Sequence, residues 1–445
     1  MTPTQTPPAY ADYPIVGALP KVWRAPLQFF VEAAASHRVV RLNLGPRSFY
    51  LLSHPDDVRY VLQDNARNYV KGYDMVKPVL GDGLVTANGD LWLRQRRLMQ
   101  PAFHRQKIAG LADQMTGAAA EMLERWGPLA QRGAPLDLAA EMMQLTQTII
   151  VRTMFSTDLS ADAPRLMAAF SAVLEYLNTL IFAPVNIPVS WPTPTNVRFR
   201  RALGLIEGTV YRIIAERRQA GRSEPDLLSM LLDARDENGQ GMSEKQIRDE
   251  LLTIFFAGHE TTASTLAWTW WLLGQHPEPY ARLEAEVASV LGGRRPAFAD
   301  LPGLAYTRQI IDEALRLYPP AWMFTRTPVA DDEIAGYRVP AGVQVMLSPY
   351  ITQRLPEFWE APAEFRPERF APGAEAGRPK LAYFPFAAGP RQCLGKDFAL
   401  VEAALLLAAM VQRYRVRLAP GQTVRALPIA TLRPQPGVLV TLQAR

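Results

Sequence analysis

The chain has 445 residues, a single cysteine and a net charge of +5 from 48 basic and 43 acidic side chains. A hydrophobic share of 48% excludes a disordered chain. One cysteine excludes an internal disulfide and any cysteine-rich zinc or iron–sulfur centre. The charge is small and evenly mixed, with no basic run, which excludes a nucleic-acid-binding surface. No charged segment followed by an apolar one opens the chain, so no signal peptide is expected. Nowhere do about 20 apolar residues run uninterrupted, so no transmembrane segment is expected either. With the lone cysteine pointing to a reducing compartment, the expected location is cytoplasmic. Proline is abundant, at 38 residues.

Length alone allows about three domains. No linker, low-complexity run or fixed-period repeat divides the sequence, so one domain over 1–445 is expected. Residues 1–70 read as its β-richer start. A helix is expected at about 26–37, and strands at 39–44 and 48–53. Residues 71–414 read as α-rich, with apolar positions at i, i+3 and i+4 over 90–100, 111–131, 136–154, 162–181 and 197–221. A Pro-broken stretch follows at 183–195. The longest candidate helix runs from 243 to 275, where Ser243 and Gln246 form a capping box. Helices follow at 277–291 and 304–317, the latter stopped by Pro319 and Pro320. Strands are expected at 333–340 and 343–349, irregular coil over 356–386, and a helix at 394–414. Two or three short strands fill 415–445. The fold class is therefore mainly α with a minor antiparallel β part.

Four stretches carry chemistry. The cysteine lies in Phe386-Ala-Ala-Gly389-Pro-Arg391-Gln-Cys393-Leu-Gly395, at the start of the last helix. Helical N–H groups there favour a thiolate. Taken alone, a free cysteine is most often a buried structural residue; five matching positions at fixed spacing, the cysteine among them, reverse that preference. Glu313-Ala-Leu-Arg316 places a Glu and an Arg at i, i+3 on one helical face. As an isolated pair, it would be an ordinary surface contact. The stretch Ala257-Gly258-His259-Glu260-Thr261-Thr262 interrupts an apolar helix with a glycine costing about 1 kcal/mol and four polar residues. Thr261 is placed to bond back to the carbonyl of Ala257. Trp92-Leu-Arg-Gln-Arg96 puts Trp92 and Arg96 on one helix face, where the alternative is an exposed basic face. No His-Glu-x-x-His spacing appears.

The cysteine stretch resembles the haem-binding loop of the cytochrome P450 family, the haem-thiolate monooxygenases. The other three stretches resemble that family's further signatures, in the same order along the chain. Phe365-Arg-Pro-Glu-Arg369-Phe370 is similar to its coil motif. The resemblance implies the family's triangular-prism fold, with haem between the long oxygen-binding helix and the cysteine-loop helix. The implied cofactor is haem b (iron protoporphyrin IX) with the Cys393 thiolate as axial ligand. Phe386 covers the sulfur, Gly389 and Gly395 let backbone approach the macrocycle, and Arg391, Trp92, Arg96 and Arg326 reach propionates. Ala257 and Gly258 line the oxygen groove, and Thr261 and Glu260 are the catalytic pair that moves protons towards bound oxygen. Glu313, Arg316 and Arg369 form a structural trio that sets the haem loop.

The implied reaction inserts one atom of O2 into a C–H bond of a sizeable hydrophobic substrate. No flavin or iron–sulfur segment follows Cys393, so NAD(P)H is expected to act indirectly, through a separate ferredoxin or flavodoxin and its reductase. Arg94, Arg97, Arg105, Lys107 and Lys396 form a docking face or, alternatively, only solvated charge. The expected pocket residues are Met75, Leu80, Leu177, Ile181, Phe256, Trp322, Phe324 and Thr431, with core packing as the alternative role for many of them. Resemblance to a bacterial branch that includes carotenoid ring hydroxylases makes a carotenoid or terpenoid the first expectation and a long-chain fatty acid the second. The protein is expected to be a monomer. Competing classes are a peroxide-driven peroxygenase or isomerase and a non-catalytic haem sensor. Retention of Glu260 and Thr261 argues against the former, and the lack of an output segment argues against the latter.

Overall fold

The computed structural model describes residues 5–10, 13, 15–45, 47–156, 163–182, 187–221 and 224–445, with the side chains of 163, 164, 167, 178, 181 and 182 set aside. The chain gathers into two compact units. The first comprises Met1–Gly72, Gln309–Cys393 and Ala426–Arg433; the second comprises Tyr73–Arg308, Leu394–Arg425 and Pro434–Arg445.

The first unit is built on a five-stranded sheet. Val39–Leu44 and Arg47–Leu52 form an antiparallel hairpin, with Val40 opposite Leu51. Gln344–Leu347 then lies parallel to Arg47–Leu52, with Phe49 opposite Gln344. Phe324–Pro328 and Tyr69–Val70 complete the sheet by antiparallel pairing. The parallel pair departs from the antiparallel expectation, because periodicity reads one strand at a time and not its distant partner. The strand expected at 333–340 is a hairpin instead, Asp332–Ile334 against Tyr337–Val339. Two consecutive positive φ values, 51° at Ala335 and 83° at Gly336, make the tight turn whose twist suits a hairpin.

Side chains alternate across this sheet, and both faces are covered. Val39, Tyr50, Leu52, Val345 and Leu347 pack with Val58, Val61 and Leu62, and with Leu381, Phe384 and Ala388 from the coil before the cysteine. Val40, Leu42, Leu51 and Met346 pack on the other face with Phe29, Phe30, Trp322 and Ile351. The irregular segment leading to Cys393 is therefore anchored in a core rather than loose on the surface.

The second unit is helical. The expected helices appear as Gly89–Met99, Arg105–Arg132, Leu138–Phe155, Ala163–Phe182, Pro194–Ala220, Glu244–Gln275, Pro277–Leu291 and Lys396–Arg413. The helix expected over 136–154 begins two residues late, because Leu136–Asp137 pair with Leu439–Ala444 and Asp137 caps the helix by accepting from Ala139 N–H at 3.0 Å. The tail holds four strands rather than two or three. In the capping box, Ser243 Oγ accepts from Gln246 N–H at 3.2 Å, and the Gln246 side chain accepts from Ser243 N–H at 2.9 Å. The 32-residue helix that follows packs against Leu138–Phe155, Pro194–Ala220 and Lys396–Arg413 and is buried over most of its circumference. No helix among the described residues is long and apolar enough to cross a membrane.

Candidate active site

The first unit carries the cysteine loop. Cys393 is exposed, and its N–H donates to the Phe386 carbonyl at 2.9 Å, which closes the loop between the two motif residues. Cys393 lies two residues before Gly395, the N-cap of Lys396–Arg413. Gly389 holds φ +70°, and a Cβ there would overlap the carbonyl oxygen of Leu62. Its first requirement is thus protein packing, where approach to the macrocycle was the expected one. Gly395 has open space around its missing Cβ; no protein atom explains it.

Arg326 is 5% exposed. It donates Nη1 to the Thr325 carbonyl at 2.8 Å and lies over the Phe324 ring at 5.0 Å, with no described carboxylate paired to it. Burial pushes the Arg391 guanidinium down to about 10, and Arg326 beside it acts in the same direction. Two neighbouring guanidinium groups held away from water favour a bound anion, which the carboxylates of a haem provide. A solvent-open thiol, a loop shaped by a left-handed glycine and this cation pair all fit haem. Cys393, Phe386, Arg391 and Arg326 are the residues of this unit that would hold it.

The structural trio is assembled as expected. Glu313 and Arg316 are both fully buried, and Arg316 makes a two-pronged contact through Nε at 2.7 Å and Nη2 at 2.8 Å. Its remaining N–H groups reach the carbonyls of Gln353, Pro362 and Glu364. Arg369 Nε lies 3.3 Å from Glu313 and Nη2 donates to the Ala361 carbonyl. One buried carboxylate thus holds a guanidinium that satisfies three coil carbonyls. Gln353 was missed in the sequence. It donates to the carbonyls of Leu315 and Arg316 and accepts from Phe384 N–H at 3.0 Å, bridging helix and coil. It stands in Ser348-Pro-Tyr-Ile-Thr-Gln353-Arg354, where no local pattern marks it out.

The second unit carries the polar interruption of the long helix. Residues 251–256 are buried without break; Ala257 is then exposed, Gly258 and Thr261 are half-buried, and His259, Glu260 and Thr262 are buried again. Thr261 Oγ1 donates to the Ala257 carbonyl at 2.8 Å, the expected back-bond. The opened strip therefore holds a threonine hydroxyl on a bare helical face. Gly258 has a packing reason that the sequence did not suggest: a Cβ would sit 3.1 Å from Ile150 Cδ1. Thr146 Oγ1 donates to the His259 carbonyl at 2.9 Å, pinning the same turn. His259 Nδ1 contacts the Phe255 carbonyl at 2.7 Å, a structural role. Glu402 was missed as well. It is 1% exposed on Lys396–Arg413 and is hydrogen-bonded to Thr262, and burial pushes its carboxyl up to about 8.

Trp92 and Arg96 are half-buried on Gly89–Met99. Arg94 is withdrawn from the expected docking face: its Nε binds Asp236 at 2.7 Å. Arg97 lies 3.5 Å from Glu237, while Arg105 and Lys107 remain exposed and Lys396 half-exposed.

Of the expected pocket residues, Met75 and Phe324 are half-buried and Leu80, Leu177 and Phe256 are buried. Phe256 lies edge-on to Phe170, itself stacked on Phe255 at 3.5 Å. The side chain of Ile181 lies outside the described residues, and Thr431 is 8% exposed. Trp322 stands in the core instead of at a pocket. It is buried against Phe30 and donates Nε1–H to the Ile429 carbonyl at 2.8 Å, because an indole buried this deeply takes a carbonyl partner.

A model of the family described as Cytochrome P450 matches residues 7–442. The chain belongs to the cytochrome P450 family. It is similar to cyclooctatin synthase of Streptomyces melanosporofaciens, with 40% identity over 94% of this chain and 92% of that protein. It is 38% identical to the pentalenene oxygenase of Streptomyces avermitilis, over 94% of this chain and 93% of that protein. It is 33% identical to the chloroplastic carotene epsilon-monooxygenase of Arabidopsis thaliana, over 92% and 80%. Among solved structures, the haem domain of cytochrome P450DA matches with a TM-score of 0.91 and 27% identity, covering 99% of this chain and 98% of that one. The retinoic acid-bound cyanobacterial CYP120A1 matches with a TM-score of 0.89 and 25% identity, covering 99% and 100%. The fold is the cytochrome P450 fold, and the protein is a haem-dependent monooxygenase. Its cofactor is haem b with a thiolate ligand, and Cys393 is the one cysteine that can supply it.

Proposed function

We propose that this monooxygenase hydroxylates a terpenoid or carotenoid substrate, with Thr261 and Glu260 managing protons and Cys393 binding iron. The observation that carries this is the bared strip of the long helix: Ala257 exposed, Thr261 beside it, and the aromatic cluster Phe170, Phe255 and Phe256 one turn before. The strip offers a bare helical face with one hydroxyl, backed by these buried aromatic rings, which suits a large molecule with few polar groups. The names of relatives, pentalenene oxygenase and carotene epsilon-monooxygenase, support that substrate class.

Haem bound through a thiolate supplies O2 activation and insertion of one oxygen atom into a C–H bond. The chain's residues supply the rest. Thr261 keeps its hydroxyl proton on the Ala257 carbonyl at 2.8 Å while its oxygen remains able to accept. Glu260, the residue immediately before it on the same turn, is the proton source to that hydroxyl. With haem seated on the Cys393 sulfur, Phe386 would flank it and limit the access of water. Arg326, Arg391 and Arg96 would supply positive charge for the propionates, and Trp92 a neutral indole N–H donor. Arg105, Lys107 and Lys396 receive the electron carrier, a ferredoxin or flavodoxin served by an NAD(P)H reductase. The working form is a cytoplasmic monomer.

Reduced protein under carbon monoxide should give the red-shifted thiolate Soret band, and Cys393→Ser should abolish it; persistence of the band in that variant would remove Cys393 as ligand. Thr261→Ala should keep NAD(P)H oxidation while product per NAD(P)H drops about tenfold or more, and unchanged coupling would remove Thr261 from the proton path. A spin-shift titration across carotenoids, terpenoids and graded fatty acids tests the substrate class. A response to fatty acids alone would replace the terpenoid reading.

A further inference from the structure

The opening turns of the helix Glu244–Gln275 carry an unusual concentration of buried charge. Arg248 is 6% exposed, Asp249 1% and Glu250 0%. Ionised side chains so buried are costly unless each is paired, and here the partners come from the same helix and from two other segments. Asp249 Oδ2 accepts from the backbone N–H of Asp82 at 2.9 Å and from Lys245 Nζ at 2.8 Å, and its Oδ1 accepts from Arg248 Nη1 at 2.7 Å. Glu250 Oε2 accepts from the N–H of Leu84 at 2.9 Å. The other terminal nitrogen of Arg248 reaches Glu207 on Pro194–Ala220.

The loop at 81–84 is shaped to meet these carboxylates. Gly81 holds φ +54°, and a Cβ there would run into the Asp249 carboxylate; at Gly83 it would run into Thr253 Oγ1. Thr86 Oγ1 serves the carbonyls of Gly81 and Gly83 at 2.8 and 3.0 Å, and Gln95 Nε2 donates to the Asp82 carbonyl at 2.8 Å. The loop's donors and acceptors are thus taken up by side chains and by neighbouring backbone. A loop fastened in this way is not a flap, and fastening it through Asp249 also fastens it, by way of Arg248, to a second helix.

We propose that Asp249 and Glu250 are positioning residues that hold the 81–84 loop and, through Arg248, the Pro194–Ala220 helix as one wall of this unit, so that the wall's fixed shape selects among bulky substrates. The functional half rests on the expectation that Met75 and Leu80, which precede this loop, line the substrate pocket of the proposed monooxygenase; the mechanical half stands on the contacts alone. The haem-loaded full chain tests both, compared as wild type, Asp249→Ala, Asp249→Asn and Arg248→Met. Amide hydrogen exchange reports the wall. Spectral titration with imidazole, which needs only the iron, and with clotrimazole, which needs the walls, reports selection.

In Asp249→Ala, exchange in peptides covering 81–84 and 194–220 should rise together by about tenfold or more, the loss expected for hydrogen bonds to a charged acceptor. The clotrimazole Kd should weaken by a similar factor while the imidazole Kd stays put. Asp249→Asn, which keeps an acceptor oxygen, should fall between. Arg248→Met should speed exchange in 194–220 alone. Should Asp249→Ala not fold, Asp249→Asn against wild type decides by the same readouts. Faster exchange in the loop alone in the Asp249 variants would overturn the coupling, and equal weakening of both azoles would overturn the selective role. Wild-type protein lacking a thiolate spectrum would strike at the monooxygenase reading, leaving the exchange result to judge the clamp.

Discussion

Glu402 offers a sharp test of the electrostatics in the second unit. The carboxyl is 1% exposed on Lys396–Arg413, and burial raises its pKa from the ordinary 4.5 to about 8, with the Thr262 hydrogen bond pulling slightly the other way. The folded protein therefore keeps this proton across a window in which the unfolded chain releases it. Folding stability from this group is fully present below about pH 4.5 and is lost as pH rises towards 8. The slope is about 1.4 kcal/mol per pH unit, on the order of 4 kcal/mol over the window. Glu402→Gln keeps the shape and a hydrogen-bonding partner for Thr262 but has no proton to lose. Its stability relative to wild type should therefore grow with pH, by roughly 5 °C or more in melting temperature between pH 5 and pH 8 for a chain of this size. Differential scanning of the haem-loaded pair from pH 5 to 8.5 measures it. A constant offset between the two proteins across that range would refute the assignment of a protonated Glu402.

Two further substitutions probe the cysteine loop and its support. Gly389→Ala forces a side chain into a left-handed backbone, at about 1 kcal/mol, and against the Leu62 carbonyl; haem-to-protein ratio should fall while the far-UV spectrum is retained, and full haem content would contradict the packing argument. Arg316→Lys leaves Glu313 with a single-point cation and strands coil carbonyls, a loss of about 3–5 kcal/mol. Denaturant midpoints should drop accordingly, and a midpoint near wild type would mean the trio is dispensable.

Local patterns with local causes were readable in the sequence. The capping box at Ser243, the Thr261 back-bond and the Glu313–Arg316 pair are all set within four residues, and each is present. The signatures around Cys393 were legible because residue types at fixed spacing reflect a fixed local geometry. Features that depend on a distant segment were hidden. The parallel pairing of Arg47–Leu52 with Gln344–Leu347 joins residues nearly 300 apart. Gln353 becomes important only when helix and coil are brought to it. Glu402 reads as one polar position on an apolar helix until the helix meets Thr262. Trp322 sat next to plausible pocket residues, and only three-dimensional packing against Phe30 assigned it to the core.

The approach of Ile150 to Gly258 has a consequence for anyone altering this enzyme. The separation of 3.1 Å from a would-be Cβ makes the two positions a single trait distributed over two helices. A library that varies 258 alone samples a direction in which Ile150 must first give way by a few tenths of an ångström. One that trims Ile150 to valine or alanine opens it, and then a side chain can be introduced on the very turn that bears the bared strip. In natural descent the same coupling makes loss of the glycine easier where the residue opposite is already small, at a position no comparison of substrate contacts would flag.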